Sequence, residues 1–197
     1  MFIPFGFYQG ATEDGVTPLL DLYGTNAIAA YSMRLLSSTY AGDCLQVERS
    51  SDSATQDIGF VNGYLDTAAM LSFIGVNDGR VSIWYDQSGE GKDLDVGLYT
   101  LPLIVNAGTL VTNPDNSKAG LYSDTNLVQL RVTDRIAELQ TSGGIFTTAN
   151  VWRLENRTGD AAAMIYNLDN SSERLLQYRM DTQTTTQDSI RPIIFGN

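Results

Sequence analysis

A chain of 197 residues with 43% apolar content is long enough to bury a core and fits one large domain or two small ones. Its net charge of −11, from 23 Asp and Glu against 12 Lys and Arg, leaves no basic stripe for phosphates, so neither nucleic-acid nor anionic-membrane binding is expected. No run approaches the ~20 apolar residues of a span, so no membrane insertion is expected either. With no histidine and one cysteine, Cys44, the composition excludes Ser-His-Asp and Cys-His catalysis, histidine-ligated metals, an intrachain disulfide and thiolate zinc. No catalytic group, cofactor or metal is therefore expected.

The chain opens on an arm over residues 1–18 that carries Phe2, Ile3, Phe5, Phe7 and Tyr8. These residues read as an aromatic segment rather than as a secretory signal. Two roles stay open for them: an edge strand of the same domain, or an assembly arm docking into a neighbouring subunit. Residues 19–197 read as one domain.

Two short helices are expected in the N-terminal half. Asn26 can cap a helix over residues 27–38, with Ile28, Tyr31 and Leu35 on one face. Asp66 can cap a second over residues 67–74, stopped by Gly75 and stapled by Leu65. The remainder reads as strand and turn. Leu45 and Val47 alternate with Gln46 and Glu48, and Val81, Ile83 and Tyr85 alternate with Ser82 and Trp84. Cys44, at the head of the first of these runs, reads as a small buried apolar residue. Further strands are expected at 101–106, 109–112, 120–123, 127–132, 145–154, 161–166, 174–180 and 190–195. Many short strands separated by Gly, Asn, Asp and Pro turns indicate a mainly β, lectin-like (concanavalin or jelly-roll) sandwich.

The chemistry-bearing blocks lie between residues 29 and 89. Trp84-Tyr85-Asp86-Gln87-Ser88-Gly89 reads as a strand entering a tight turn, with Asp86 and Ser88 bonding nearby amides and Gly89 and Gly91 at positive φ. Arg34 or Arg49 can pair with Asp52 or Asp57. Trp84 and Trp152 lie within apolar strands and read as core aromatics, with stacking on a glycan as their functional alternative. The turns at Asn77-Asp78-Gly79 and Asp115-Asn116-Ser117 lack the acidic spacing of a calcium loop.

Taken in order, Ala29-Ala30-Tyr31-Ser32-Met33-Arg34-Leu35-Leu36, Val47-Glu48-Arg49-Ser50-Ser51-Asp52, Asp57-Ile58-Gly59-Phe60, Leu65-Asp66-Thr67-Ala68-Ala69-Met70-Leu71 and the Val81–Gly89 run form a series. It resembles the N-terminal half of the arabinofuranosidase-B-type domain, a concanavalin-like β-sandwich, from about Leu19 to Leu94. The block also resembles one found in tailed-bacteriophage virion and tail-associated proteins. The family's nucleophile lies in a Met-Glu-Ala-Ile-Tyr-like strand. The nearest echo, Ala161-Ala162-Ala163-Met164-Ile165-Tyr166, has no carboxylate at the glutamate position, and the family's adjacent cysteines cannot exist with one Cys. These departures lead to the expectation of a non-enzymatic structural protein of a bacteriophage particle, a capsid decoration, fibre or tail-associated subunit located in the virion. Its expected partners are other virion proteins, further copies of itself and a host-surface glycan. The alternatives are a carbohydrate-binding receptor module and a divergent arabinofuranosidase-like glycosidase. Asp52, Asp57, Asp86, Gln87, Ser88 and Gly89 are expected to be structural.

Overall fold

The computed structural model describes residues 17–23, 27–95, 100–114 and 116–122, together with strands at 131–132, 163–169, 174–181 and 189–194. The chain divides into two compact units, Met1–Ile136 and Ala137–Asn197. In the first, the elements are α1 (Leu19–Tyr23), β1 (Leu45–Arg49), β2 (Thr55–Ile58), β3 (Phe60–Val61), β4 (Tyr64–Leu65), α2 (Thr67–Ile74), β5 (Gly79–Trp84), β6 (Leu94–Asp95), β7 (Leu103–Asn106), β8 (Thr109–Leu110) and β9 (Arg131–Val132). The described pairings are antiparallel, and the fold is the mainly β sandwich class with two short helices in its N-terminal half.

A seven-stranded sheet runs in the order β2-β1-β5-β6-β9, with β7 also pairing with β5 and β8 with β7. Alternation dictates its inner face: Leu45 and Val47 of β1 and Val81 of β5 are fully buried, while Gln46 and Glu48 are partly exposed. Helix α2 covers this face. Its buried residues, Met70 and Ile74, are one turn apart and join Leu45, Val47, Val81, Ile104 and Val105 in a single core. Gly79 makes the close approach possible, since a Cβ there would stand 2.9 Å from Ile74 Cδ1. The caps of α2 follow the sequence. Asp66 accepts the Ala69 amide at 2.9 Å, and the Gly75 amide donates to the Leu71 carbonyl. Leu65 and Met70 lie in the same core on either side of the cap, as a hydrophobic staple requires.

Two hairpins turn on paired left-handed residues. Asn62 and Gly63 (φ 52° and 76°) join β3 to β4, and Ala107 and Gly108 (φ 45° and 77°) join β7 to β8. Alanine is poorly suited to that region, whereas asparagine visits it readily. Ala107→Asn is therefore expected to raise stability by about 0.5–1 kcal/mol in urea unfolding.

The expected helix over residues 27–38 is not formed; the N-terminal helix is α1 instead, which follows Pro18. Residues 27–37 run as an irregular strap because their backbone groups are bonded to other parts of the molecule. The Leu35 amide donates to the Gly63 carbonyl, the Leu65 amide to the Met33 carbonyl and the Leu20 amide to the Leu36 carbonyl. A helix would have to surrender these bonds, and a turn of amphipathic spacing does not replace them.

The second unit contains β10 (Ala163–Asp169), β11 (Arg174–Asp181) and β12 (Ser189–Ile194), an antiparallel sheet in that order. Tyr166 lies opposite Tyr178, and Asp181 opposite Ser189.

Candidate functional site

The site is built where β5 runs out of the sheet. Asp86 and Gln87 are 4% and 2% exposed, and they are the buried polar residues of the described structure. A buried carboxylate persists only if its lone pairs are met. Asp86 Oδ1 accepts the Ala30 amide at 2.8 Å and the Ser88 amide at 2.9 Å; Oδ2 accepts the Ser88 hydroxyl at 2.7 Å and the Lys92 amide at 3.0 Å. The same residue's amide donates to Asp93 Oδ1 at 2.8 Å. Ser88 Oγ in turn accepts the Glu90 amide, and Gly89 and Gly91 turn the chain at φ 93° and 66°.

Gln87 acts as a short substitute strand beside the 27–37 strap. Its Nε2 donates to the Ser32 carbonyl at 2.7 Å and the Arg34 carbonyl at 3.1 Å, and its Oε1 accepts the Leu36 amide at 2.8 Å. Its own amide donates to the Ala30 carbonyl. The side chain thus meets alternate carbonyls and the next amide, much as a neighbouring strand would. Cys44 closes the strap from below. It is fully buried, its thiol donates to the Ser32 carbonyl, and burial pushes its pKa up to about 12, so it stays a thiol.

Two tyrosines and several carboxylates occupy the neighbouring surface. Tyr85 donates to Asp57 Oδ1 at 2.6 Å, and Gln46 Nε2 reaches the same oxygen at 3.0 Å. Burial, then the Asp57 bond, holds the Tyr85 phenol above its ordinary range. The Tyr40 phenol is pushed up to about 12, first by burial and then by Asp93 and Asp43. Asp43 and Asp93 act on both phenols, so they flank one patch with Asp57. Trp84, last in β5, packs partly buried against the core with the Tyr31 ring 6.2 Å away at 57°. Its buried indole Nε1 has no hydrogen-bond partner. The Tyr31 hydroxyl donates to the Lys92 carbonyl, which ties the strap to the turn after Gly91.

Of the residues singled out in the sequence, Asp86, Gln87 and Ser88 meet in one network, with Trp84 and Asp57 at its edge. Asp52 lies apart, in the turn after β1, where its carboxylate receives Arg49 Nε at 3.0 Å and Nη2 at 2.7 Å. That pairing holds the Asp52 carboxyl down at about 2. Phe2, Ile3, Phe5, Phe7, Tyr8 and Trp152 lie outside the described residues. Tyr31, Tyr40, Asp43 and Asp93 also belong to the site: Tyr31 reaches Lys92, 61 positions away, whereas the Tyr40 hydroxyl donates to the Asp43 carbonyl three residues on and Asp93 accepts the Asp86 amide. Asp78 is engaged by the Ala107 amide at 2.7 Å, and among the described residues no group of three or more acidic or cysteine side chains could hold a metal ion. Among the same residues no helix is long and apolar enough to cross a membrane.

The site is therefore an acidic, tyrosine-lined edge of an antiparallel β-fold, supported from beneath by a buried polar hub. Residues 19–129 match the family described as alpha-L-arabinofuranosidase B, catalytic, and the chain belongs to that family. A probable alpha-L-arabinofuranosidase B of Aspergillus fumigatus is 42% identical over 80 residues, and an alpha-L-arabinofuranosidase of Hypocrea jecorina is 40% identical over 79. Each match covers 38% of this chain and 16% of the relative, so the chain spans only a small part of the length of the curated relatives it matches. A solved arabinofuranosidase complexed with arabinofuranosyl-alpha-1,2-xylobiose is 29% identical, with a TM-score of 0.37 over 40% of this chain and 19% of that one.

These findings correct several expectations. A catalytic-domain family and relatives that are arabinofuranosidases overturn the non-enzymatic reading and, with it, the bacteriophage particle, capsid-decoration, fibre and tail roles. The virion location and the virion-protein and self-assembly partners fall for the same reason: the relatives are enzymes of Aspergillus, Trichoderma and Hypocrea, and nothing among them is a particle protein. The physical basis of the error is specific. Absence of histidine excludes one set of mechanisms, but glycoside hydrolysis runs on carboxylates and needs none. The echo at residues 161–166 that lacks a carboxylate lies outside the residues 19–129 that match the family.

Proposed function

We propose that this protein is an arabinofuranosidase-B-type glycosidase acting on α-L-arabinofuranosyl groups. The observation that carries the reading is the family match over residues 19–129, which spans the whole Asp86–Gln87 hub and the strap it holds. The chemistry is compatible with the composition. Two carboxylates suffice, one protonating the leaving oxygen and the other acting as nucleophile or base, and the chain has 23 Asp and Glu. In this reading Asp86 is a support, because all of its acceptor capacity is committed to backbone amides and Ser88. Asp43, Asp57 and Asp93 are the exposed carboxylates of the neighbouring patch.

The test is turnover of 4-nitrophenyl α-L-arabinofuranoside by the full chain, followed by nitrophenolate release. Release should scale with enzyme concentration and be competed by arabinofuranosyl oligosaccharides. A folded chain that releases no more nitrophenolate than buffer, at enzyme concentrations matching the substrate, would sink the proposal.

A further inference from the structure

We infer that residues 27–37 form a strap that opens as one unit while the sheet beneath remains folded, and that Gln87, with Asp86, is its latch. The strap has no regular secondary structure. Its cross-links sit at distinct points: Asp86 and the Gln87 amide at Ala30, the Gln87 side chain at Ser32, Arg34 and Leu36, Cys44 at Ser32, the Leu20 amide at Leu36, and the β3–β4 hairpin at Met33 and Leu35. Of its side chains, Met33 alone is among those packed against the buried core. A segment with no fully buried side chain, held in part by side-chain bonds to its backbone, belongs to the low-stability end of a domain. Because one glutamine holds three strap groups at once, losing it releases them together.

Opening would also part Tyr31 from Lys92 and from the Trp84 ring, uncovering the indole whose Nε1 has no partner in the closed form. The strap is therefore a cover over the Trp84 end of β5, and its closed state is set by side chains of the loop that follows that strand.

Native-state hydrogen exchange on the full chain, read amide by amide, tests this. The donors of the strap seam include the amides of Leu20, Ala30, Leu35, Leu36, Leu65 and Gln87, which lie on both sides of it. They should exchange with one common free energy, below that of Val81 and Met70 in the core. In Gln87→Glu, the acceptor for Leu36 is kept but both donors are lost. Exchange of the strap amides should then rise about 10–100-fold, with Val81 unchanged. Strap amides that exchange only with the core, or that scatter independently of one another, would overturn the inference. So would a folded Gln87→Glu with unaltered strap exchange. If that variant does not fold, the wild-type pattern and its response to low urea decide the question alone.

Discussion

Replacing Asp86 with alanine is expected to remove about 3–4 kcal/mol of folding stability, measured as a lower urea midpoint at unchanged m-value. The magnitude follows from what the carboxylate holds. Three backbone amides, Ala30, Ser88 and Lys92, and the Ser88 hydroxyl converge on its two oxygens within 2.7–3.0 Å. The residue is 4% exposed, so these donors cannot all turn to water when the acceptor is deleted. Each buried donor left unpaired costs about 1–3 kcal/mol, and partial relaxation of the loop keeps the sum below the simple total. Asp86→Asn separates charge from geometry. One oxygen remains for Ala30 and Ser88, while the amide nitrogen meets the Lys92 N–H donor to donor, so roughly half the loss is expected. A loss under about 1 kcal/mol in the alanine variant would show that the hub is not a major support of the fold.

The pattern of what could be read from the sequence has a physical cause. Elements whose signal is local are legible. The alternation of Leu45 and Val47 gives β1, the cap at Asp66 and stop at Gly75 give α2, and the apolar runs near residues 174 and 190 fall on β11 and β12. Elements set by remote partners are not. β2 reads as polar because Thr55, Gln56 and Asp57 are exposed on an edge strand and only Ile58 is buried. The β3–β4 hairpin is not among the expected elements: Asn62-Gly63 is a dipeptide suited to paired left-handed residues, but the strands it joins are too short to show any periodicity. The 27–38 segment shows helical spacing at Ile28, Tyr31 and Leu35, and tertiary bonds override it.

The site divides in the same way. The turn chemistry of Asp86 and Ser88 is a two-residue matter and can be reasoned from the sequence. That the same carboxylate reaches Ala30, 56 positions away, cannot. Nor can the three strap groups taken by Gln87, 51 to 55 positions away. The functional inference failed at a different step. It rested on missing histidine, a single cysteine and the absence of a carboxylate in the echo at residues 161–166. A carboxylate mechanism leaves no mark in the first two, and the echo lies outside the residues 19–129 that match the family.

Gly108→Ala is expected to cost about 2–4 kcal/mol, because two independent constraints meet at that position. Its φ of +77° is a region that an alanine enters only at a penalty. An added Cβ would also stand 2.8 Å from the Gly75 carbonyl oxygen and 3.2 Å from Val76 Cα. Both are backbone atoms at the end of α2, so no side chain can swing aside, and the Gly108 amide is fixed by its 2.9 Å bond to the Asn77 carbonyl. Relief must come from moving the β7–β8 hairpin away from the helix terminus. That displacement strains the packing of Ile74 against Val105, both fully buried, and so reaches the core beneath the candidate site. Gly120→Ala supplies the control: the nearest atom to its added Cβ is 3.9 Å away, and its change should stay within about 0.5 kcal/mol. If urea unfolding gives the two variants the same midpoint, helix α2 and the hairpin are not in the tight apposition on which the core depends.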